Sequence, residues 1–257
     1  MIHPFRKFKT IRAFYKERIA YIILNRPRVA NRVNDVMVLE LAEVVGLINQ
    51  DDSVLAAVLT GNGNTFSAGW GGFRIHDYAD LSRFQAAAQI AQIQKPVIAS
   101  VNGDAIGQGL ELLLSTDIRI TSNTSHFGMP QISYGLLPWD GGSQRLPRIV
   151  GKAYATEMLL TGNIIDADEA LRRGLVSSVV GKSQLADAVN QTVNQVVANA
   201  PLALMYAKEA LMVGMDLNLG QSLRLEADLN ILLHGTKDRA KGIQAFLQKR
   251  SVTFLGE

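Results

Sequence analysis

An α/β fold, built from repeated strand-strand-helix units and followed by a helical C-terminal segment, is what this sequence predicts. Three observations predict it. Short apolar runs of strand length alternate with segments whose apolar residues recur at helical spacing. Glycine-rich turns follow those runs, and beyond Ala200 the strand signal gives way to helical periodicity alone.

Taken in order, residues 11–24 read as strand, turn, strand: IRAFY and IAYIIL are apolar and β-rich, with Lys16-Glu17-Arg18 between them. Residues 36–48 space Val, Leu and Ile as one face of a helix. The runs at 55–59 and 97–101 resemble buried parallel strands, because they are short and almost wholly apolar rather than alternating. Gly107-Gln108-Gly109 then leads into the apolar stretch LELLLSTDI, read as a helix, and a further helix is expected to begin near Gly141. From Ala200 onward ALMYAKEALMVGM, SLRLEADLNILLHG and DRAKGIQAFLQKR place apolar residues three and four apart. The expected division is therefore an α/β core over 1–198 and a helical segment over 199–257.

Composition narrows the function classes. The 257 residues are 47% hydrophobic and 19% charged, which suits a globular chain with a substantial core. Cysteine is absent, so disulfides, thiolate metal ligands and thiol nucleophiles are excluded, and a cytoplasmic location is the expectation. No window approaches about 20 uninterrupted apolar residues, and the N-terminus lacks the apolar stretch of a cleaved signal, so no membrane association is expected. The net charge is +3 with cations scattered along the chain, so no nucleic-acid partner is expected. Phosphate loops, His-Glu-x-x-His and zinc-ligand spacings are missing, and neither a metal nor a redox cofactor is implied.

The chemistry concentrates in residues 101–150, where two glycine-punctuated turns, one in VNGDAIGQGLELLLSTDIRI and one in HFGMPQISYGLLPWDGGSQRLPRIVG, each lead into a helix start. Backbone N–H groups at such places are available to a developing negative charge, the equipment of an oxyanion site. Glu111, a lone carboxylate among leucines three residues after Gln108, is the strongest candidate for proton transfer; an N-terminal helix carboxylate is the bland alternative.

With Leu24-Asn25-Arg26-Pro27, Phe66-Ser67-Ala68-Gly69, Lys95-Pro96-Val97-Ile98-Ala99, Asn102-Gly103, Gly141-Gly142-Ser143-Gln144-Arg145-Leu146, Leu160-Thr161-Gly162 and Ala245-Phe246-Leu247-Gln248-Lys249-Arg250 in order, the chain resembles the crotonase superfamily, the enoyl-CoA hydratase/isomerase enzymes, over residues 8–254. The resemblance implies a crotonase-type spiral of ββα units. It implies an acyl-CoA thioester substrate, with coenzyme A arriving as part of that substrate and no separate cofactor. The C-terminal segment would close over the active site and build a homo-oligomer, a trimer or a dimer of trimers. Backbone N–H groups of Trp70 and Gln108 would hold the thioester oxygen, and Arg26, Arg28, Ala68, Lys249 and Arg250 would meet the CoA portion. Glu111 matches the first of two hydratase glutamates.

The second glutamate is replaced. Where hydratases carry Pro-Glu-Ile this chain has Pro130-Gln131-Ile132, and an amide orients water or substrate but exchanges no proton near neutral pH. Asp140, in Pro138-Trp139-Asp140-Gly141-Gly142, is the candidate replacement, with burial beside Trp139 raising its pKa; the alternative is that it caps the helix starting near Gly141. Trp70 either walls an acyl pocket or packs, and His126 is read as structural. Arg74, His76, Asp77 and Tyr78 suggest a partly polar acyl loop within 73–84. Water addition to an enoyl or cyclic dienoyl thioester is the first reading, double-bond isomerisation the second, and carbon–carbon bond hydrolysis of a cyclic diketone the third. From another class, the chain would bind an acyl-CoA or RNA without catalysis.

Overall fold

The computed structural model describes residues 2–4, 7–72 and 81–257. The chain opens with an antiparallel meander of β1 (Ile2–Pro4), β2 (Ile11–Lys16) and β3 (Ile19–Leu24), paired from Ile11 with Leu24 to Lys16 with Ile19. Only Glu17 and Arg18 connect β2 to β3, and Glu17 takes a φ of 58° to close so tight a turn. Helix α1 (Asp35–Gln50) starts where the Asn34 side chain accepts from Met37 N at 3.0 Å, and it buries Met37, Leu41, Val44, Val45 and Ile48.

β4 (Ala56–Gly61) lies parallel to β3, and after α2 (Ala86–Ile90) β5 (Val97–Val101) lies parallel to β4. A short β6 (Ala105–Ile106) precedes α3 (Gln108–Leu114), then β7 (Ile118–Ser122) pairs parallel with β5. β8 (His126–Gly128) joins β6, and α4 (Gly142–Val150) and α5 (Lys152–Thr161) lead to β9 (Ile164–Asp166), antiparallel to β8. After α6 (Ala167–Arg172), β10 (Ser178–Val180) closes the larger sheet beside β7. Seven strands run in the order β1-β2-β3-β4-β5-β7-β10, and β6-β8-β9 form a second sheet.

Both faces of the large sheet are covered, which is why its central parallel strands β4 and β5 are apolar at most positions. Ala57, Leu59, Val97 and Ala99 face α1 and α3, while Ala56, Val58, Ile98 and Ile120 meet Leu185, Val189 and Val193 of α7 (Leu185–Val197). The expected helix over LELLLSTDI is corrected: α3 stops at Leu114. Ser115 and Thr116 turn their hydroxyls back onto the carbonyls of Leu112 (2.6 Å) and Leu113 (2.7 Å), and Ile118 already belongs to β7.

α8 (Pro201–Gly214), α9 (Leu219–His234) and α10 (Lys237–Leu247) make up the C-terminal segment, and no single described helix is long and apolar enough to cross a membrane. Lys208 ties α8 to the N-terminal ends of β5 and β7, donating to Asp117 Oδ2 (2.7 Å) and to the Lys95 carbonyl (3.0 Å). Asp238, buried at the start of α10, accepts from Leu255 N and Gly256 N and pins the end of the chain.

Candidate active site

Parallel strands β4 and β5 end at Gly61 and Val101, and the glycine-rich turns at 66–70 and 107–109 lie beyond those ends, where ligands of α/β sheets gather. The turns are stitched to each other through backbone. Ser67 N donates to the Asp104 carbonyl (3.1 Å) and Ile106 N to the Ser67 carbonyl (3.0 Å). Gly69, at φ 83°, sits so close that a Cβ there would lie 2.5 Å from the Ile106 carbonyl oxygen and 2.9 Å from Gln108 N. Only glycine permits that approach, and it places Trp70 and Gln108 on adjoining strands of backbone. Gln108 is the first residue of α3, where the helix itself supplies no acceptor for the N–H.

Glu111 lies three residues along the same helix, hence on the face of α3 that carries Gln108. It is fully buried. Its Oε1 accepts from Asp140 N (2.7 Å) and Gly142 N (2.9 Å), and its Oε2 from Gln131 Nε2 (3.3 Å). Burial pushes its pKa up to about 8; the Gly142 and Asp140 N–H groups oppose the rise, and the neighbouring charge of Asp140 adds to it. Gly142 is required here, since a Cβ would fall 2.9 Å from Glu111 Cγ and 2.8 Å from Pro138 Cβ.

The expected Gln131 is buried beside Glu111, on a 3₁₀ turn over Pro130–Tyr134. Its Nε2 serves Glu111, and its Oε1 is buried with no hydrogen-bond partner in the protein. Asp140 is also drawn in, 2% exposed, but its carboxylate does not cap the helix beginning at Gly142 as one expectation had it. That helix starts behind Gly141 with no side-chain cap. Asp140 instead accepts from Ala87 N (2.7 Å) and Ala88 N (3.0 Å) of α2 and from Gln108 Nε2 (3.2 Å). Burial raises its pKa to about 6 against the pull of those donors and of Arg145.

Trp70 and Trp139 meet edge to face, ring centroids 5.8 Å apart at 85°, so the turn at 66–70 and the Asp140 loop share one half-buried aromatic wall. Ala68 N is bonded to the Ala30 carbonyl (2.9 Å), which sets the loop holding Arg26 and Arg28 beside the first glycine-rich turn. Lys249 and Arg250 lie just past the end of α10. The tail that follows them is held at Arg18, whose Nη1 donates to the Phe254 carbonyl (3.3 Å), and β3 separates Arg18 from Arg26 by about 20 Å. His126 pairs with Asp104 at the surface (2.9 Å), outside the site. Arg74, His76, Asp77 and Tyr78 fall outside the described residues.

Arg145 went unrecognised in the sequence as a supporting group. Its Nη1 donates to the Asp140 carbonyl at 2.8 Å, fixing the peptide that follows the one whose N–H holds Glu111. The motif that contains Arg145 was visible, but its partner is a backbone atom whose position spacing does not reveal.

A buried carboxylate with a raised pKa, three residues after a helix-start amide on an α/β core, suits a class of enzyme that moves a proton beside a developing negative charge. Comparison with known proteins gives that class its family. Residues 15–257 match the family model described as enoyl-CoA hydratase/isomerase. The crotonyl-CoA hydratase of Syntrophomonas wolfei is 35% identical over 94% of this chain and 96% of its own, and the 2,3-dehydroadipyl-CoA hydratase of Escherichia coli is 36% identical over the same shares. The crystal structure of an enoyl-CoA hydratase from Bacillus anthracis superposes with a TM-score of 0.93 at 33% identity, covering 97% of this chain and all of the other. The chain belongs to the enoyl-CoA hydratase/isomerase family, within the crotonase superfamily.

Proposed function

We propose that this protein adds water across the double bond of an enoyl-CoA thioester, using one carboxylate for both proton transfers. The observation that carries the reading is Glu111: buried, oriented by two backbone N–H groups, and one helical turn from the Gln108 amide. The N–H groups of Trp70 and Gln108 take the thioester oxygen as it becomes an enolate. Losing one such donor typically raises a barrier by about 3 kcal/mol. Ionised Glu111 removes a proton from water as its oxygen bonds to the β-carbon. The same carboxyl then returns that proton to the α-carbon, and the enolate collapses to the hydroxyacyl thioester.

Gln131 fits this scheme as the group that orients the water. Its Nε2 is committed to ionised Glu111, which leaves its buried Oε1 as an acceptor for the second water hydrogen. The names of the relatives, crotonyl-CoA, short-chain enoyl-CoA and 2,3-dehydroadipyl-CoA hydratases, support a hydratase. Arg26, Arg28 and Ala68 would meet the CoA portion, and Lys249 and Arg250 would reach it from a second copy of the chain in a trimer or dimer of trimers. The reaction as written needs substrate and water alone.

A second reading, migration of the double bond, is favoured by the amide at 131. A single carboxylate suffices to lift a proton from one carbon and return it to another. Incubation with enoyl-CoA thioesters in oxygen-18 water, read by mass spectrometry, separates the two. Product carrying one labelled water establishes hydration. Deuterium uptake in heavy water without net addition establishes isomerisation, and no change with any thioester overturns both.

A further inference from the structure

The carboxylate of Asp140 is enclosed by protein donors. Ala87 N, Ala88 N and Gln108 Nε2 lie 2.7, 3.0 and 3.2 Å from its two oxygens, and Gln108 Nε2 also donates to the Phe84 carbonyl. The backbone of the same residue faces the other way: its N–H holds Glu111 Oε1 at 2.7 Å, and its carbonyl is fixed by Arg145. Asp140 thus touches the side chain of the residue whose N–H serves as oxyanion donor and, through its own peptide, the carboxyl that moves the proton. One further bond, from Gln85 Nε2 to the Trp139 carbonyl (3.1 Å), fastens the preceding peptide to the same stretch of chain.

We propose that Asp140 is a positioning residue, not a second proton carrier: it locks Gln108, Glu111 and the start of α2 into one rigid unit. The proposal rests on the reading above, in which Gln108 N–H stabilises the enolate and Glu111 carries the proton. A proton carrier needs a face open to substrate, whereas both oxygens of Asp140 already accept from the protein. Its charge has a second effect. The charged groups acting on Glu111 are Asp140, which raises its pKa, and Arg145, which lowers it. Removing the Asp140 charge therefore makes Glu111 easier to ionise.

Two variants test the unit, Asp140→Asn and Gln108→Met, the latter keeping the backbone N–H. Three readouts are taken: turnover, the titration of Glu111 followed by NMR on carbon-13-labelled glutamate, and the carbonyl stretch of a bound enoyl-CoA labelled at its thioester carbon. In Asp140→Asn kcat should fall about ten- to hundredfold with KM changed less than about threefold, and Glu111 should titrate about one unit lower. The carbonyl stretch should move toward its value in water as the oxyanion donor loses its setting. Gln108→Met should move the stretch while leaving the Asp140 charge, and so the Glu111 titration, nearly in place. An unmoved stretch in both variants overturns the proposal. So does a loss of about 10⁴ or more in Asp140→Asn with the stretch intact, the mark of a proton carrier. The stretch and the titration do not need turnover. A wild-type protein inert toward every thioester but polarising the bound carbonyl would sink the hydratase reading without touching the positioning role.

Discussion

At the scale of single residues, Glu111 governs the behaviour. Its pKa of about 8 means that much of the free enzyme holds a proton there at neutral pH, so kcat/KM for hydration should climb with pH until about 8 and then level. A profile flat from pH 6 to 9 would remove Glu111 as the base. The same shift bears on stability. Folding raises this pKa, so the folded state keeps the proton where the unfolded chain has lost it, and stability declines as pH rises from 4.5 to about 8. Glu111→Gln, which still accepts from Asp140 N and Gly142 N, should therefore raise Tm by about 5 °C at pH 9 and hardly at pH 5, while abolishing turnover. Calorimetry at the two pH values checks the sign. Gln131→Ala should lower kcat about tenfold with little change in KM, because the lost amide orients water instead of binding the CoA portion. Glu111 and Gln131 were legible as residue types, but the bond between them, and the orphaned oxygen that results, were not.

At the scale of elements, glycine decides where the functional loops can go. The helical spacing of 36–48 and the apolar runs at 55–59 and 97–101 announced α1, β4 and β5 because each element's periodicity is local. The close approach of Gly142 to Glu111 is not local, since 31 residues separate them. Gly142→Ala should displace the Glu111 side chain, costing about 2 kcal/mol of stability and about a hundredfold in kcat, as denaturant melts and steady-state rates would show. The end of α3 was misjudged for a related reason. Ser115 and Thr116 stop the helix by bonding back to carbonyls, and apolar spacing carries no trace of that competition.

At the scale of the whole molecule, α8 to α10 leave large apolar side chains uncovered: Leu219, Ile231, Phe246 and Leu247 are 75%, 68%, 82% and 74% exposed. Contiguous exposed apolar surface of this size is typical of interaction sites. Sedimentation should find a trimer or a dimer of trimers, and Phe246→Asp should shift the protein to a smaller species. A stable wild-type monomer would oppose this, and with it the assignment of Lys249 and Arg250 to CoA. Phe254 is held at Arg18, at the far end of β3 from Arg26, which is consistent with Lys249 and Arg250 meeting CoA across a second copy.

The strands over 11–24, 55–59 and 97–101, the helices over 36–48 and beyond Ala200, the glycine-punctuated turns, the lone carboxylate and the missing second glutamate were legible in the sequence alone. Each is a property of residue type or of spacing within one turn or strand. Tertiary structure decided what those residues do to one another. It buried Glu111 and raised its pKa, turned Gln131 toward it, and aimed Asp140 at the amides of α2 rather than at those of α4. The physical reason is that hydrogen-bond partners and dielectric surroundings are set by segments 20 to 53 residues apart, whose meeting depends on the packing of the whole core.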